Sequence, residues 1–136
     1  IDPLFFASLI RQESFWDPGA GSSAGALGLT QVIPATGEGI ARALDVKGFA
    51  PDDLYLPAVS LRFGAYYLGG QLRRFGQPWA ALAAYNAGPG NASRWLEATG
   101  SGGASELVQQ VDFDETAHYV TIVLEHYAHY LRAYAE

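Results

Sequence analysis

Apolar positions recur at helical spacing along almost the whole chain, and no stretch alternates as a half-buried strand does. Phe5, Phe6, Leu9 and Ile10 form the first such set. Asp2-Pro3 precedes them, an N-cap acceptor followed by proline at the first helical position. This predicts a helix to about Ser14, ended by Pro18 and the small-residue stretch Gly19 to Gly25. A second helix is expected from Pro34 to Leu44, where Gly37 and Gly39 each cost about 1 kcal/mol relative to alanine. Gly48 to Leu56 reads as a loop with one turn around Asp52-Asp53-Leu54-Tyr55. Pro57 opens a longer helix with Leu61, Ala65, Leu68, Leu72 and Phe75 as its seam, broken by Gly76-Gln77-Pro78. A short helix from Trp79 to about Asn86 follows, then a turn forced by Gly88-Pro89-Gly90 and a helix from Asn91 to Ala98. Thr99 to Gly103 reads as a flexible loop and Ser105 to Val111 as one or two turns. The last helix starts near Asp112–Asp114 and runs to the end, burying Val120, Val123, Tyr127, Tyr130 and Leu131. The expectation is an all-α chain of about seven helices, with residues 1–136 forming a single domain.

Composition narrows the function classes. Hydrophobic residues make up 49% and charged residues 16%, which excludes a disordered chain. Apolar runs break well short of the roughly 18 residues a membrane span needs. Fourteen acidic against eight basic side chains give a net charge of −6, with Lys47 the single lysine. No basic patch is present to carry a phosphate backbone, so a nucleic-acid partner is not expected. Without cysteine there is neither a disulfide framework nor a thiolate metal site. His118, His126 and His129 share the last helix without metal-ligand spacing, and no metal or cofactor is expected. The chain has no methionine, so Ile1 is not a translation start, and the sequence reads as a processed or excised segment. The sequon Asn91-Ala92-Ser93 is short enough to arise by chance and is given no role.

Four blocks carry candidate chemistry. Glu13 closes the first helix before Ser14 and the aromatic pair Phe15-Trp16. Apolar walls would desolvate its carboxyl and keep it protonated for transfer to a leaving oxygen; the other reading is a solvated helix-end glutamate. Gly25-Ala26-Leu27-Gly28-Leu29-Thr30-Gln31 allows close backbone approach, to a neighbouring helix or to a ligand, and Gln31 needs partners if buried. In Ala80 to Gly90 an Ala-rich helix ends in Tyr85 and Asn86, whose donors and acceptors suit sugar hydroxyls and N-acetyl groups. As structure alone, Asn86 would be a C-terminal cap and Tyr85 a half-buried core residue. In the fourth block, Asp112 and Glu115 have capping-box-like spacing at the start of the last helix.

In this order the blocks resemble soluble lytic transglycosylases. The resemblance rests on Glu13-Ser14-Phe15-Trp16-Asp17-Pro18, on Ser22 and Gly28-Leu29-Thr30-Gln31-Val32-Ile33-Pro34-Ala35-Thr36, and on Asp53-Leu54-Tyr55-Leu56-Pro57 with Leu61 to Leu68. Ala84-Tyr85-Asn86-Ala87-Gly88-Pro89-Gly90 and Phe113-Asp114-Glu115-Thr116-Ala117-His118-Tyr119-Val120 complete it, so it covers about residues 3–131. The resemblance implies a goose-lysozyme-like helical fold with a groove for peptidoglycan glycan strands. It makes Glu13 the sole catalytic acid, Ser22 the serine that orients the N-acetyl group, Gln31, Tyr85 and Asn86 groove residues near the scissile bond, and Glu115 a groove carboxylate. Thr30 and Ile33 stand where the family often has methionine, which would alter an apolar wall at the sugar site, and Ala117 replaces an arginine. The implied reaction is cleavage of the MurNAc-β-1,4-GlcNAc bond with formation of 1,6-anhydroMurNAc ends. A lysozyme-like hydrolase and a non-catalytic glycan-binding module are the alternatives. A monomer acting outside the cytoplasm, in the bacterial periplasm or envelope, is the corresponding expectation.

Overall fold

The computed structural model describes residues 1–135 and contains seven α-helices and one 3-10 helix among them. In chain order these are α1 (Pro3–Ser14), α2 (Pro34–Ala43), the 3-10 helix (Pro51–Tyr55), α3 (Pro57–Phe75), α4 (Pro78–Ala87), α5 (Pro89–Thr99), α6 (Ala104–Gln110) and α7 (Asp114–Tyr134). Contacts divide the chain into two compact units, one of residues 1–67 and one beginning at Leu68. No helix of the described residues is long and apolar enough to cross a membrane.

In the first unit, Asp2 caps α1 as its position predicts, its carboxylate accepting from the backbone N–H of Leu4 at 2.8 Å and of Phe5 at 3.3 Å. The helix ends where Phe15 turns left-handed (φ 50°, ψ 38°), its N–H donating back to Arg11 O. Around α2 and the 3-10 helix, Val32, Ile40, Ala41, Leu54 and Phe63 form a buried cluster with Phe49 packed against it, its ring 5.3 Å from that of Phe63. Gly37, expected only to weaken α2, is instead the seat of Phe49: a Cβ there would stand 2.9 Å from the ring.

The face that α3 buries differs from the expected seam. Ser60, Phe63, Gly64, Leu68, Gly69 and Gln71 are buried, whereas Leu61, Ala65, Leu72 and Phe75 are half-buried. The expected seam followed apolar side chains, while the helix is most closely approached along its small residues. At Gly64 a Cβ would lie 2.5 Å from Thr30 Cβ and Cγ2, and Thr30 hydrogen-bonds Ser60 one turn earlier.

The second unit is built on α4, which contacts α5, α6 and α7. Ala80 to Ala84 are all fully buried, as a helix enclosed on every side requires, and their short side chains let the neighbours come close. Trp95, Leu107, Val120 and Val123 fill the space around it. Tyr127 and Tyr130 are only half-buried and Leu131 is exposed, so the fully buried stripe of α7 stops at Val123, about two turns earlier than expected. The helix itself ends at Tyr134, and the last position of the chain lies outside the described residues. The expected three-residue turn after α4 shrinks to Gly88 alone. That residue ends α4 and caps α5 at φ 93° and ψ 152°, a region open essentially only to glycine, and Pro89 and Gly90 already belong to α5.

Asp112 does not pair with Glu115 in a capping box; the N-cap of α7 is Phe113, without a side-chain cap. The Asp112 carboxylate accepts instead from Trp95 Nε1 at 2.8 Å and from both terminal nitrogens of Arg94 at 3.2 and 3.3 Å. Phe113 stacks edge-on against the Trp95 ring at 5.2 Å. The Arg94 guanidinium first, and the indole N–H second, hold the Asp112 carboxyl below the ordinary aspartate range.

Two outcomes follow from this packing. Gly28 carries φ +78°, and a Cβ there would run into the backbone carbonyl of Leu54, whereas Gly25 at φ +84° faces open space. Gly25→Ala is expected to cost about 1 kcal/mol and Gly28→Ala clearly more, read as denaturant midpoints. For Asp112 the folded-state pKa lies below the unfolded one, so its contribution is present above the unfolded value and is lost as pH falls through the folded value. Asp112→Asn should therefore lower the urea midpoint at neutral pH, with the difference closing as the pH drops below about 4. A difference that stays constant through the acid range would refute this account.

Candidate active site

The six candidate residues fall on both units: Glu13, Ser22 and Gln31 on the first, Tyr85, Asn86 and Glu115 on the second. Glu13 occupies the last turn of α1 and is half-buried. Of the aromatic pair that follows it, Phe15 is 73% and Trp16 49% exposed. Both take left-handed backbone, at φ 50° and 65°, which costs a bulky residue about 1–2 kcal/mol each. The pair turns the chain out of α1.

The segment of residues 19–33 contains no helix, and much of its backbone is tied by individual hydrogen bonds. Gly28 N–H donates to Ala20 O at 2.8 Å, Ser22 N–H to Ala26 O at 3.0 Å, and Leu27 N–H to Val32 O at 3.1 Å. Ser14, the residue after Glu13, donates its hydroxyl to Leu29 O at 2.9 Å and approaches Ile10 O at 3.2 Å. It thereby ties the carboxyl-bearing end of α1 to the glycine loop. Thr30 is fully buried and closes a ring with Ser60. Thr30 N–H donates to Ser60 Oγ at 3.1 Å, and Thr30 Oγ1 donates to Ser60 O at 2.8 Å. The remaining Oγ1 to Oγ contact of 2.9 Å then takes the Ser60 proton. Thr30 is thus a lock between loop and α3 and forms no apolar wall, while Ile33 is exposed.

Ser22 and Gln31 are held by the same loop. Ser22 is exposed, and its Oγ accepts from Ala26 N–H at 3.0 Å, which leaves the hydroxyl proton for another acceptor. Gln31 sits at φ 53°, and its Nε2 donates to Ala20 O at 3.1 Å and Gly28 O at 2.9 Å. Both N–H groups are used on the loop, so the polar atom Gln31 can offer a ligand is the acceptor Oε1.

On the second unit, Tyr85 and Asn86 lie in the last turn of α4 and are half-buried. Asn86 does not cap the helix, a role Gly88 takes; its Oδ1 accepts from Thr116 Oγ1 at 2.7 Å. Glu115 is exposed in the first turn of α7, where a carboxylate is favoured by the helix dipole. Thr116 is the polar partner that reading the motifs had not singled out. Its signal in the sequence is register: it falls three residues before Tyr119, four before Val120 and seven before Val123, the buried stripe of α7. A hydroxyl on that stripe needs a partner.

A family model for the Transglycosylase SLT domain matches residues 1–108. The soluble lytic murein transglycosylase of Escherichia coli is 36% identical over 133 residues, covering 96% of this chain and 21% of the relative. The structure of the 70 kDa soluble lytic transglycosylase of Escherichia coli superposes with a TM-score of 0.93 at 33% identity, over 100% of this chain and 22% of that one. An inactive mutant of lytic transglycosylase Slt from Pseudomonas aeruginosa superposes at 0.88 and 34% identity, over 96% of this chain and 21% of that one. The chain spans about a fifth of the length of these relatives. The fold is the all-α, lysozyme-like one that the motifs led us to expect.

Removing the Ser14 hydroxyl leaves Leu29 O, on a buried residue, without that donor. Ser14→Ala is expected to lower stability by about 1–2 kcal/mol, visible as a lower urea midpoint with an unchanged slope. An unshifted midpoint would mean that the tie between α1 and the loop carries no energy.

Proposed function

The chain belongs to the Transglycosylase SLT domain family, and from that membership we propose that residues 1–136 are the catalytic module of a peptidoglycan lytic transglycosylase. The observation that carries the reading is Glu13 at the end of α1, with Ser14 binding the loop that bears Ser22 and Gln31. Glu13 is assigned as the only catalytic acid and base. Most glycosidases place two carboxylates at the bond, and a one-carboxylate scheme must draw its second group from the substrate. Glu13 protonates the glycosidic oxygen as the bond to the MurNAc anomeric carbon breaks, and the substrate's own acetamido oxygen stabilises that carbon. The Glu13 carboxylate then takes the proton of the C6 hydroxyl, whose oxygen closes onto the anomeric carbon. The products are a GlcNAc hydroxyl end and a 1,6-anhydroMurNAc end, and Glu13 is again protonated. No water is consumed, and the tethered hydroxyl has the advantage of any intramolecular nucleophile. A lytic transglycosylase of similar structure that is inactive with one glutamate exchanged for glutamine supports the assignment of an essential glutamate.

Ser22 is assigned to the N-acetyl group through its free hydroxyl proton, and Gln31 to a sugar donor through Oε1. Tyr85, Asn86 and Glu115 are assigned to the glycan strand. The substrate class places the module outside the cytoplasm of a bacterium, and we read it as acting as a monomer, which size-exclusion chromatography tests.

Glu13→Gln keeps the shape of the side chain and removes the proton. It is expected to lower release of anhydro-muropeptides from purified sacculi by at least about a hundredfold, with the thermal midpoint little changed. Mass spectrometry of the wild-type products distinguishes the reactions, because hydrolysis leaves one water more on each reducing end. Cleavage by Glu13→Gln at the wild-type rate, or hydrated ends only, would overturn the proposal.

A further inference from the structure

We infer that Thr116 is a positioning residue that sets which end of the Asn86 amide meets substrate, so that Asn86 reads an oxygen acceptor on an N-acetylated sugar. The inference rests on the assignment of Asn86 to the glycan strand. An asparagine side chain presents an acceptor at one end and two donors at the other, and a half-turn exchanges them. Here the 2.7 Å bond from Thr116 Oγ1 occupies Oδ1. Nδ2 makes no hydrogen bond among the described residues and is not shut away from solvent. The donor end is therefore the end left for a ligand. It matches a sugar hydroxyl oxygen or an acetamido carbonyl, and not a sugar N–H.

Three features make the Thr116 hydroxyl a fixed reference. The residue is 2% exposed and β-branched, so its side chain has little rotational freedom. It is the third residue of α7, and the residue four before it, Asp112, precedes the helix, so the usual bond to the carbonyl one turn back has no helical acceptor. Thr99 and Thr121, deeper in their helices, do make that bond, to Trp95 O at 2.8 Å and Ala117 O at 3.0 Å. Thr116 alone of the three spends its proton across α4 and α7.

Thr116→Val keeps the volume and removes the donor, and Thr116→Ser keeps the donor. With a soluble peptidoglycan tetrasaccharide, Thr116→Val should raise KM about five- to tenfold, the worth of one neutral hydrogen bond, with a smaller effect on kcat. Thr116→Ser should restore most of the wild-type KM. The Asn86 side-chain amide resonances of the free protein should shift in the valine variant and return toward wild-type positions in the serine variant. A purely structural role would lower the thermal midpoint without splitting KM from kcat. That result, or amide resonances identical in the wild type and the valine variant, overturns the inference. The premise has its own control: Asn86→Ala with unchanged KM removes Asn86 from the glycan contacts, and the inference fails there while the Glu13 reaction stands.

Discussion

Where a segment that is neither helix nor strand passes below the surface, its backbone polar groups need partners, because each buried orphan costs about 1–3 kcal/mol. In residues 19–33 the buried positions are Gly28 to Thr30 and Val32, and the bonds that hold this stretch lie inside the first unit. Ala20, Gly28 and Leu29 give their carbonyls to Gln31, Gln31 and Ser14, and Thr30 gives its N–H to Ser60. The positions of Ser22 and Gln31 are consequences of this accounting. So is Gly28: only a residue without Cβ can take its left-handed backbone against the Leu54 carbonyl. Gly64 plays the complementary part on α3, where any side chain would displace Thr30 and with it the ring to Ser60.

The same economy decides what the polar side chains can recognise. An amide or hydroxyl that holds the scaffold gives up part of its bonding capacity, and what remains defines the ligand group it can read. Gln31 gives up both donors and retains an acceptor; Asn86 gives up its acceptor and retains donors; Ser22 gives up a lone pair and retains a proton. Side chains that look interchangeable in a list of groove candidates thus become polarised by their neighbours. The contacts of the two amides are partly buried, so their polarity is fixed before any ligand arrives, and less conformational entropy is lost on binding.

How much of this could be read from sequence differs between local and distant contacts. Helix starts were legible where their signals are local: Asp2 before Pro3, and prolines at positions 34 and 57 opening α2 and α3, whereas Pro78 reads as a breaker and is the first residue of α4. Glu13 was legible as the residue between an apolar helix and a glycine loop. The face of α3 was not, because apolar periodicity does not weigh Ser60 and Gly64, whose small size is what invites the close approach of Thr30. Thr30 stood out only as a departure from the family pattern that would alter an apolar wall, and its pairing with a residue thirty positions away shows it to be a lock. Asp112 fits two local patterns, a capping box and an acidic helix start, and a tertiary contact with Arg94 and Trp95 won over both. Thr116 lay within a quoted motif but went unremarked beside the more reactive Glu115.

The net charge of −6 bears on how such a module would hold its substrate. Long-range attraction to an acidic polymer is not available to an acidic chain, and at physiological salt charges more than about 8 Å apart are screened in any case. The contacts assigned to sugars are mostly neutral: a serine hydroxyl, two amides and a phenol. Their strength depends on geometry and exclusion of water, and is nearly independent of ionic strength. Neutral groups of this kind must be aimed, because unlike a charge they attract only along their bond directions. An acidic glycan-binding module therefore depends more heavily on the scaffold bonds behind its amides than a basic one would. Here those bonds come from the carbonyls of Ala20 and Gly28 and from the hydroxyl of Thr116.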